Sequence, residues 1–415
     1  YTIGGDDFLG PWITDYISAQ TILQQVSNPS GTVSTGGLGE PKFNINMTAF
    51  NGSWSRPQRG ACMTISPEPS FESHPDGPAL RAITLITWAN SLNTSQAEEL
   101  WPIIKLDLDY VASTWNETTF DLWEEVSSLS FFTTAVQHRA LRQGATLATA
   151  LGQTSSASTY TAEADNTLCL LQSYWNPSGY ITANTGGGRS GIDANTVLAS
   201  IHTFDVAAGC DATTFQPCSD RALSNLMIYV QSFDIYAINN GIPSNQGSAT
   251  GRYPEDVYYG GNPWYLTTFA VAEQLYDALI VWKNAGSLNV TSLSLPFFAN
   301  LVPGTTVGTY FSDSTAYNII ITEVETYANS FFEVAFKYMD VDSLSEQFTR
   351  MSGTPISARD FTWSYLAFLT ASNARRGLVS ASWGAAGLEV PATCVVPEDP
   401  TVAVTFNVNA TTFWG

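Results

Sequence analysis

Within Phe120-Asp121-Leu122-Trp123-Glu124-Glu125-Val126, three carboxylic acids stand among large apolar side chains. A carboxyl group beside an indole loses solvation of its charged form, so its pKa rises. It can then stay protonated at mildly acidic pH and donate a proton. Asp121 and Glu124 are three residues apart, a spacing that predicts one shared face of a helical turn, with Glu125 pointing elsewhere. Acids clustered with aromatics suit sugar chemistry, because rings stack on the apolar faces of pyranoses while carboxylates bind hydroxyls. The competing reading is the start of an amphipathic helix with solvated acids. Glu346, in Ser343-Leu344-Ser345-Glu346-Gln347-Phe348, is a second acidic candidate that alone reads as an ordinary surface residue. A third stretch, from Gly251 to Trp264, brings Arg252, Glu255 and Asp256 together with Tyr253, Tyr258, Tyr259 and Trp264. Arg252 offers a planar fork of donors for hydroxyls or carboxylates; the alternative is a structural turn with an internal ion pair. Trp54, on the loop Gly52-Ser53-Trp54-Ser55-Arg56-Pro57-Gln58-Arg59, is a fourth candidate, since an exposed indole favours a binding role.

Other chemistries are poorly served. His74, His138 and His202 are scattered, with no metal-binding spacing, and no metal or other cofactor is expected. His138 and His202 fall in helical patterns and read as satisfied polar residues. There is no G-x-S-x-G elbow for a serine hydrolase. Gly186-Gly187-Gly188 is followed by Arg189-Ser190, which is not a phosphate loop. The net charge of −21, from 37 acidic and 16 basic residues, repels nucleic acid and anionic membranes. Neither is expected as a partner, and no apolar run is long enough to cross a bilayer. Neutral carbohydrate is the leading substrate class. Sequons at Asn46, Asn51, Asn93, Asn116, Asn289 and Asn409 favour a secretory route and an extracellular location. Five cysteines leave one over in a secreted chain.

The elements that must carry these residues are helical. Apolar spacing of i, i+3, i+4, i+7 predicts helices over 12–26, 79–92, 96–115, 130–151, 161–175, 192–204, 220–239, 263–284, 314–339 and 357–374. Strand-like alternation is scarce until 401–408. Long aromatic-rich loops between the helices are expected to be functional. Consecutive helix pairs suit a bundle, a solenoid or a closed α/α toroid, and the want of a fixed repeat period disfavours a regular solenoid.

The chain resembles fungal glucoamylases, glycoside hydrolase family 15. The blocks that carry this, in order, include Tyr16–Gln20, Leu38–Asn44, Gly52–Trp54, Arg56–Arg59, Asp76–Arg81, Asp121–Glu125, Gln137–Ala140, Asp193–Asn195, Ser200–Phe204, Gly251–Asp256, Ala272–Asp277 and Ser357–Asp360. The resemblance implies an all-α (α/α)6 barrel with its pocket built by loops at one end. It implies release of β-glucose from non-reducing ends of starch and maltooligosaccharides, with inversion, by a monomer. Matched residue by residue, Glu124 is the general acid and Glu346 the general base. Trp54, Glu125, Arg252 and the backbone at Leu122 match substrate contacts, while Trp123, Asp256, Tyr258 and Trp264 line or support the pocket. Spacing alone would nominate Asp121 as the base, but an inverting enzyme holds its carboxyl groups roughly 6.5–9.5 Å apart with a water between them. Asp121 is therefore expected to support Glu124 or to hold a hydroxyl. The pairs Cys169–Cys394 and Cys210–Cys218 also match the family, which leaves Cys62 unmatched.

The chain departs from the family pattern in three places. Residues 60–75, which contain Cys62, have no counterpart and read as an unspliced intron or an unusual loop insertion. The family's first helix and its Trp-Thr-Arg-Asp loop are not matched. Residues 1–394 are thus expected to be a catalytic domain incomplete at its N-terminus, and weak or inactive as given. Residues 395–400 read as a linker, and 401–415 resemble the opening strand of a starch-binding domain. The alternative function is a non-catalytic starch-binding remnant.

Overall fold

The helical periods of the sequence fold as helices, and the all-α expectation holds throughout the part described. The structure is a computed structural model that describes residues 10–52 and 76–395. Trp54, the 60–75 segment with Cys62, Asn409 and the 401–415 strand lie outside the described residues. The described residues divide into two compact units: 10–52, 76–173, 184–187 and 389–395 belong to the first, and 174–183 with 188–388 to the second.

In the first unit, α1 (Gly10–Gln25), α2 (Asp76–Ala89), α3 (Thr94–Thr114), α4 (Phe131–Ala150) and α5 (Thr154–Gln172) are the helices. α3 begins at a capping box, in which the Asn93 side chain accepts from the Gln96 N–H and the Gln96 side chain returns the bond. α4 is buried on nearly every face, from Phe131 through Leu141, and packs on α2 and α5. A helix apolar or sealed all round belongs in an interior. Arg81 of α2 donates to buried Asp107 of α3 through Nε at 2.7 Å and Nη2 at 2.5 Å, which fixes the start of α2 beside α3. Between α3 and α4 the short strands β1 (Thr119–Phe120) and β2 (Ser127–Ser128) pair antiparallel and present the acidic stretch as the turn between them.

The second unit holds β3 (Trp175–Asn176), β4 (Tyr180–Ile181), α6 (Ala194–His202), α7 (Asp220–Gln231), α8 (Tyr265–Ala285), β5 (Ser287–Val290), α9 (Leu295–Leu301), β6 (Gly308–Phe311), α10 (Thr315–Tyr338), β7 (Gln347–Phe348), β8 (Pro355–Ile356) and α11 (Thr362–Arg375). α8 is its spine, sealed from Tyr265 to Leu279 and packed against α6, α10 and α11. Phe269 meets Phe332 of α10 at 5.2 Å and Phe368 of α11 at 5.6 Å between ring centroids.

Three boundaries differ from the periodicity, and one helix is absent from it. α7 stops at Gln231 rather than near 239, because the Ser232 hydroxyl caps the Tyr229 carbonyl and the Asn239 amide turns back onto Phe233 and Ala249. α5 starts at Thr154, in a Ser/Thr-rich run that hid its first turns. α11 starts at Thr362, since residues 357–361 form a loop. α9 has no counterpart in the periodic reading, although Pro296 in its first turn is a helix-start signal.

Both disulfides implied by the family pattern are present. Cys169–Cys394 has its Cα atoms 6.2 Å apart, and Cys210–Cys218 has them 4.8 Å apart.

Candidate active site

The acidic stretch is a tight turn and not a helical face. The Glu124 N–H donates to the Asp121 carbonyl at 2.8 Å, and the Asp121 N–H donates to the Val126 carbonyl at 2.9 Å. The Asp121 carboxylate, fully buried, sits inside this turn. Its Oδ1 accepts from the N–H groups of Glu125 at 3.0 Å and Val126 at 3.2 Å, and its Oδ2 from the Asn184 amide at 3.2 Å. A short acidic side chain that captures nearby backbone N–H groups competes with helix, and here it wins. The outcome is that Glu124 is held at φ 62°, a left-handed conformation rarely adopted by a residue with a side chain. Gly187 packs behind the turn with φ 92°, where a Cβ would stand 2.7 Å from Val126, so the glycine run backs the acidic turn.

Glu124 and Leu122 line a cavity of about 210 Å³ together with Glu40, Asp76 and Arg81. The loop Leu38–Pro41, which carries Glu40, lines the same cavity. Trp123 is buried at 3% exposure, so its indole belongs to the interior. Glu40, Asp76 and Arg81 lie in blocks that the sequence comparison with the family covers, yet residue type and spacing gave no reason to single them out.

The second unit assembles the other candidates. Glu346 is buried at 7% exposure, immediately before β7. Its Oε2 accepts from the Ser357 hydroxyl and, at 3.1 Å, from the Gln347 amide. Its N–H donates to the Ala358 carbonyl at 2.8 Å. Ser357 has φ 67°, so this carboxylate also sits beside a backbone held in the left-handed region. The surface reading of Glu346 is therefore corrected: the β7–β8 pairing folds Ser357 over it.

Arg252 and Asp256 form the internal ion pair weighed for that loop. The bond is bidentate, Nε to Oδ2 at 2.8 Å and Nη2 to Oδ1 at 2.6 Å, with both side chains sealed from solvent. The guanidinium carbon lies 5.0 Å from the Tyr258 ring centroid and 5.4 Å from that of Trp264. Trp264 pairs with Gln347 in a single β-bridge, which joins this aromatic loop to the strand beside Glu346. Sequence reasoning missed Ser357 and Asn262, whose side chains hold this strand, because neither position carries a chemical signature.

The sequons at Asn46, Asn51, Asn93, Asn116 and Asn289 are all on exposed residues. Among the described residues no cluster of three His, Cys, Asp or Glu could hold a metal ion. Among the same residues no helix is long and apolar enough to cross a membrane.

The sequence profile described as "Glycosyl hydrolases family 15" matches residues 6–373. "Glucoamylase-1" of Schizophyllum commune is 58% identical over 426 residues, which cover 100% of this chain and 71% of that protein. "Glucoamylase" of Neurospora crassa is 50% identical, over 92% of this chain and 59% of its own length. Of solved structures, the family 15 glucoamylase from Hypocrea jecorina superposes with a TM-score of 0.85 at 52% identity, over 94% of this chain and 65% of that one. The chain thus spans between 59% and 71% of the lengths of these proteins. Its fold class is theirs, the (α/α)6 barrel. On this extent of sequence and fold, the chain belongs to glycosyl hydrolase family 15.

Proposed function

We propose that the protein is a glucoamylase: it hydrolyses terminal α-1,4-linked glucose from the non-reducing ends of starch and maltooligosaccharides, with inversion, and releases β-D-glucose. The observation that carries this is Glu124, held in a left-handed backbone at the wall of a cavity by the buried Asp121 carboxylate that organises its turn. Strain of that kind persists where surrounding structure demands it, and functional sites are where it collects. Glu124 gives its proton to the glycosidic oxygen as the bond from C1 breaks. Glu346 takes a proton from a water whose oxygen attacks C1 from the opposite face. One bond to C1 is broken, one is formed, and the departing sugar carries the proton from Glu124. Asp121 is a positioning residue. Arg252 is oriented by its fork on Asp256, the preorganisation a contact to sugar hydroxyls requires. Leu122, Trp123, Glu125, Tyr258 and Trp264 contribute contacts or support to the same substrate, and Trp54 joins them from outside the described residues. The exposed sequons and the two disulfides support secretion of the protein with glycans attached.

Glucose released from maltose and maltoheptaose is the test. Glu124→Gln and Glu346→Gln are each expected to lower kcat by three orders of magnitude or more, while leaving maltoheptaose binding in place. Full turnover by either variant would remove that residue from its role. Starch binding without any glucose release by the unsubstituted protein would replace the enzymatic reading with a carbohydrate-binding one.

A further inference from the structure

The loop after Asp256 contains a residue that the proposed chemistry does not use. Tyr259 has φ 52° and is 62% exposed; Gly260 and Gly261, which follow it directly, take φ 92° and 69°, so a ring-bearing residue opens a positive-φ run otherwise made of glycine. At Gly261 glycine is required, since a Cβ would lie 1.9 Å from the Asp256 carbonyl. No comparable packing reason applies to Tyr259: its ring meets the edge of Tyr258 at 4.7 Å and otherwise faces solvent.

Two bonds hold this conformation. The Asn262 amide donates to the Tyr259 carbonyl at 2.8 Å and to the Gln347 Oε1 at 3.4 Å. Gln347 in turn donates to Glu346 at 3.1 Å. Asn262 therefore ties the exposed tyrosine to Gln347, the first residue of the strand that follows Glu346. Trp264, Tyr258 and Tyr259 form a row of rings, 6.1 Å and then 4.7 Å between centroids, that runs from a buried position to an exposed one.

We propose that Tyr259 is a stacking platform for an outer glucosyl unit of a longer α-glucan, and so sets the preference of the enzyme for chain length. This rests on the reading of the protein as a glucoamylase. A phenol ring presents a rigid apolar face that fits the C–H face of a pyranose, and its hydroxyl stays in water. Maltose is too short to reach past the reacting sugars, whereas maltoheptaose is not.

The experiment compares maltose and maltoheptaose as substrates for the unsubstituted enzyme, Tyr259→Gly and Tyr259→Phe. Glycine accepts the left-handed backbone, so the fold is preserved, and phenylalanine keeps the ring. Tyr259→Gly is expected to raise KM for maltoheptaose about five- to tenfold, the equivalent of about 1.0–1.4 kcal/mol. Its kcat, and its KM for maltose, are expected to stay unchanged, and Tyr259→Phe to match the unsubstituted enzyme. An equal loss on both substrates, or no loss on either, overturns the proposal. If the unsubstituted protein releases no glucose at all, the glucoamylase reading fails. Calorimetric binding of maltoheptaose then decides this one: weakened binding in Tyr259→Gly sustains the platform, and unaltered or absent binding overturns it.

Discussion

Asp121→Ala tests how the acidic turn works. The substitution removes one acceptor from three donors: the N–H groups of Glu125 at 3.0 Å and Val126 at 3.2 Å, and the Asn184 amide at 3.2 Å. Hydrogen bonds to a charged acceptor contribute about 1.5–3 kcal/mol each, and these are long enough to take the low end, so about 4.5 kcal/mol of turn stability is at stake. Holding Glu124 in the left-handed region costs about 1–2 kcal/mol. Once the clamp is gone the turn relaxes and Glu124 spends most of its time away from the reactive position. Turnover on maltose should fall about 10- to 100-fold, or about 1.4–2.8 kcal/mol in the barrier, with KM little changed. Asp121→Asn should be milder. It keeps Oδ1 for the backbone donors, and the Asn184 amide can turn its Oδ1 toward the new NH2. Steady-state glucose release and a thermal melt on the same samples separate turnover from unfolding. Native kcat in Asp121→Ala would refute the argument that this carboxylate positions Glu124.

Other outcomes follow from buried charge. Asp256→Asn removes the counter-charge that Asp256 gives Arg252 in a sealed pair; urea unfolding should show a loss of about 3–5 kcal/mol, and an unchanged midpoint would contradict the pair's role. Glu273 and Asp277 are one helical turn apart on α8 and buried. Burial raises both pKa values, and the Glu273 charge raises that of Asp277 further. Their contribution to stability is complete below the ordinary carboxylate range and is lost as pH rises through the raised values. Glu273→Gln should therefore melt at the same temperature as the unsubstituted protein in acid and at a higher one at neutral pH and above; equal melting at every pH would sink this. Burial pushes the Asp205 carboxyl up, but the Ala385 N–H, the Ser382 hydroxyl and the N–H groups of Ala207 and Trp383 outweigh it, and its pKa lies below the usual range. That stability is present above the ordinary carboxylate pKa and lost as pH falls through the depressed value. Asp205→Asn should melt lower at neutral pH, with the gap closing in strong acid.

The helices were legible in the sequence because burial on one face leaves a period, and α2, α3, α4, α8 and α10 fall within a few residues of it. Even so, α4 is sealed from Phe131 to Leu141 and α8 from Tyr265 to Leu279, which their apolar spacing understates. The site was legible differently. Single residues gave little: Glu346 read as surface, and the acidic stretch read as a helix start. Ordered blocks of family text supplied the roles instead. Local periodicity cannot anticipate that the Asp121 side chain captures two backbone N–H groups and turns a helical spacing into a hairpin turn. Nor can it show that Ser357, eleven residues on, folds back onto Glu346. Both depend on hydrogen bonds made only once the neighbouring strands have paired.

The central claim is that one carboxyl group donates while a second activates water, so that the anomeric configuration inverts. Proton NMR of the first glucose released from maltose, recorded before mutarotation, reads this directly. The account predicts the β anomer as the initial product. Initial α-glucose would mean retention and contradict it.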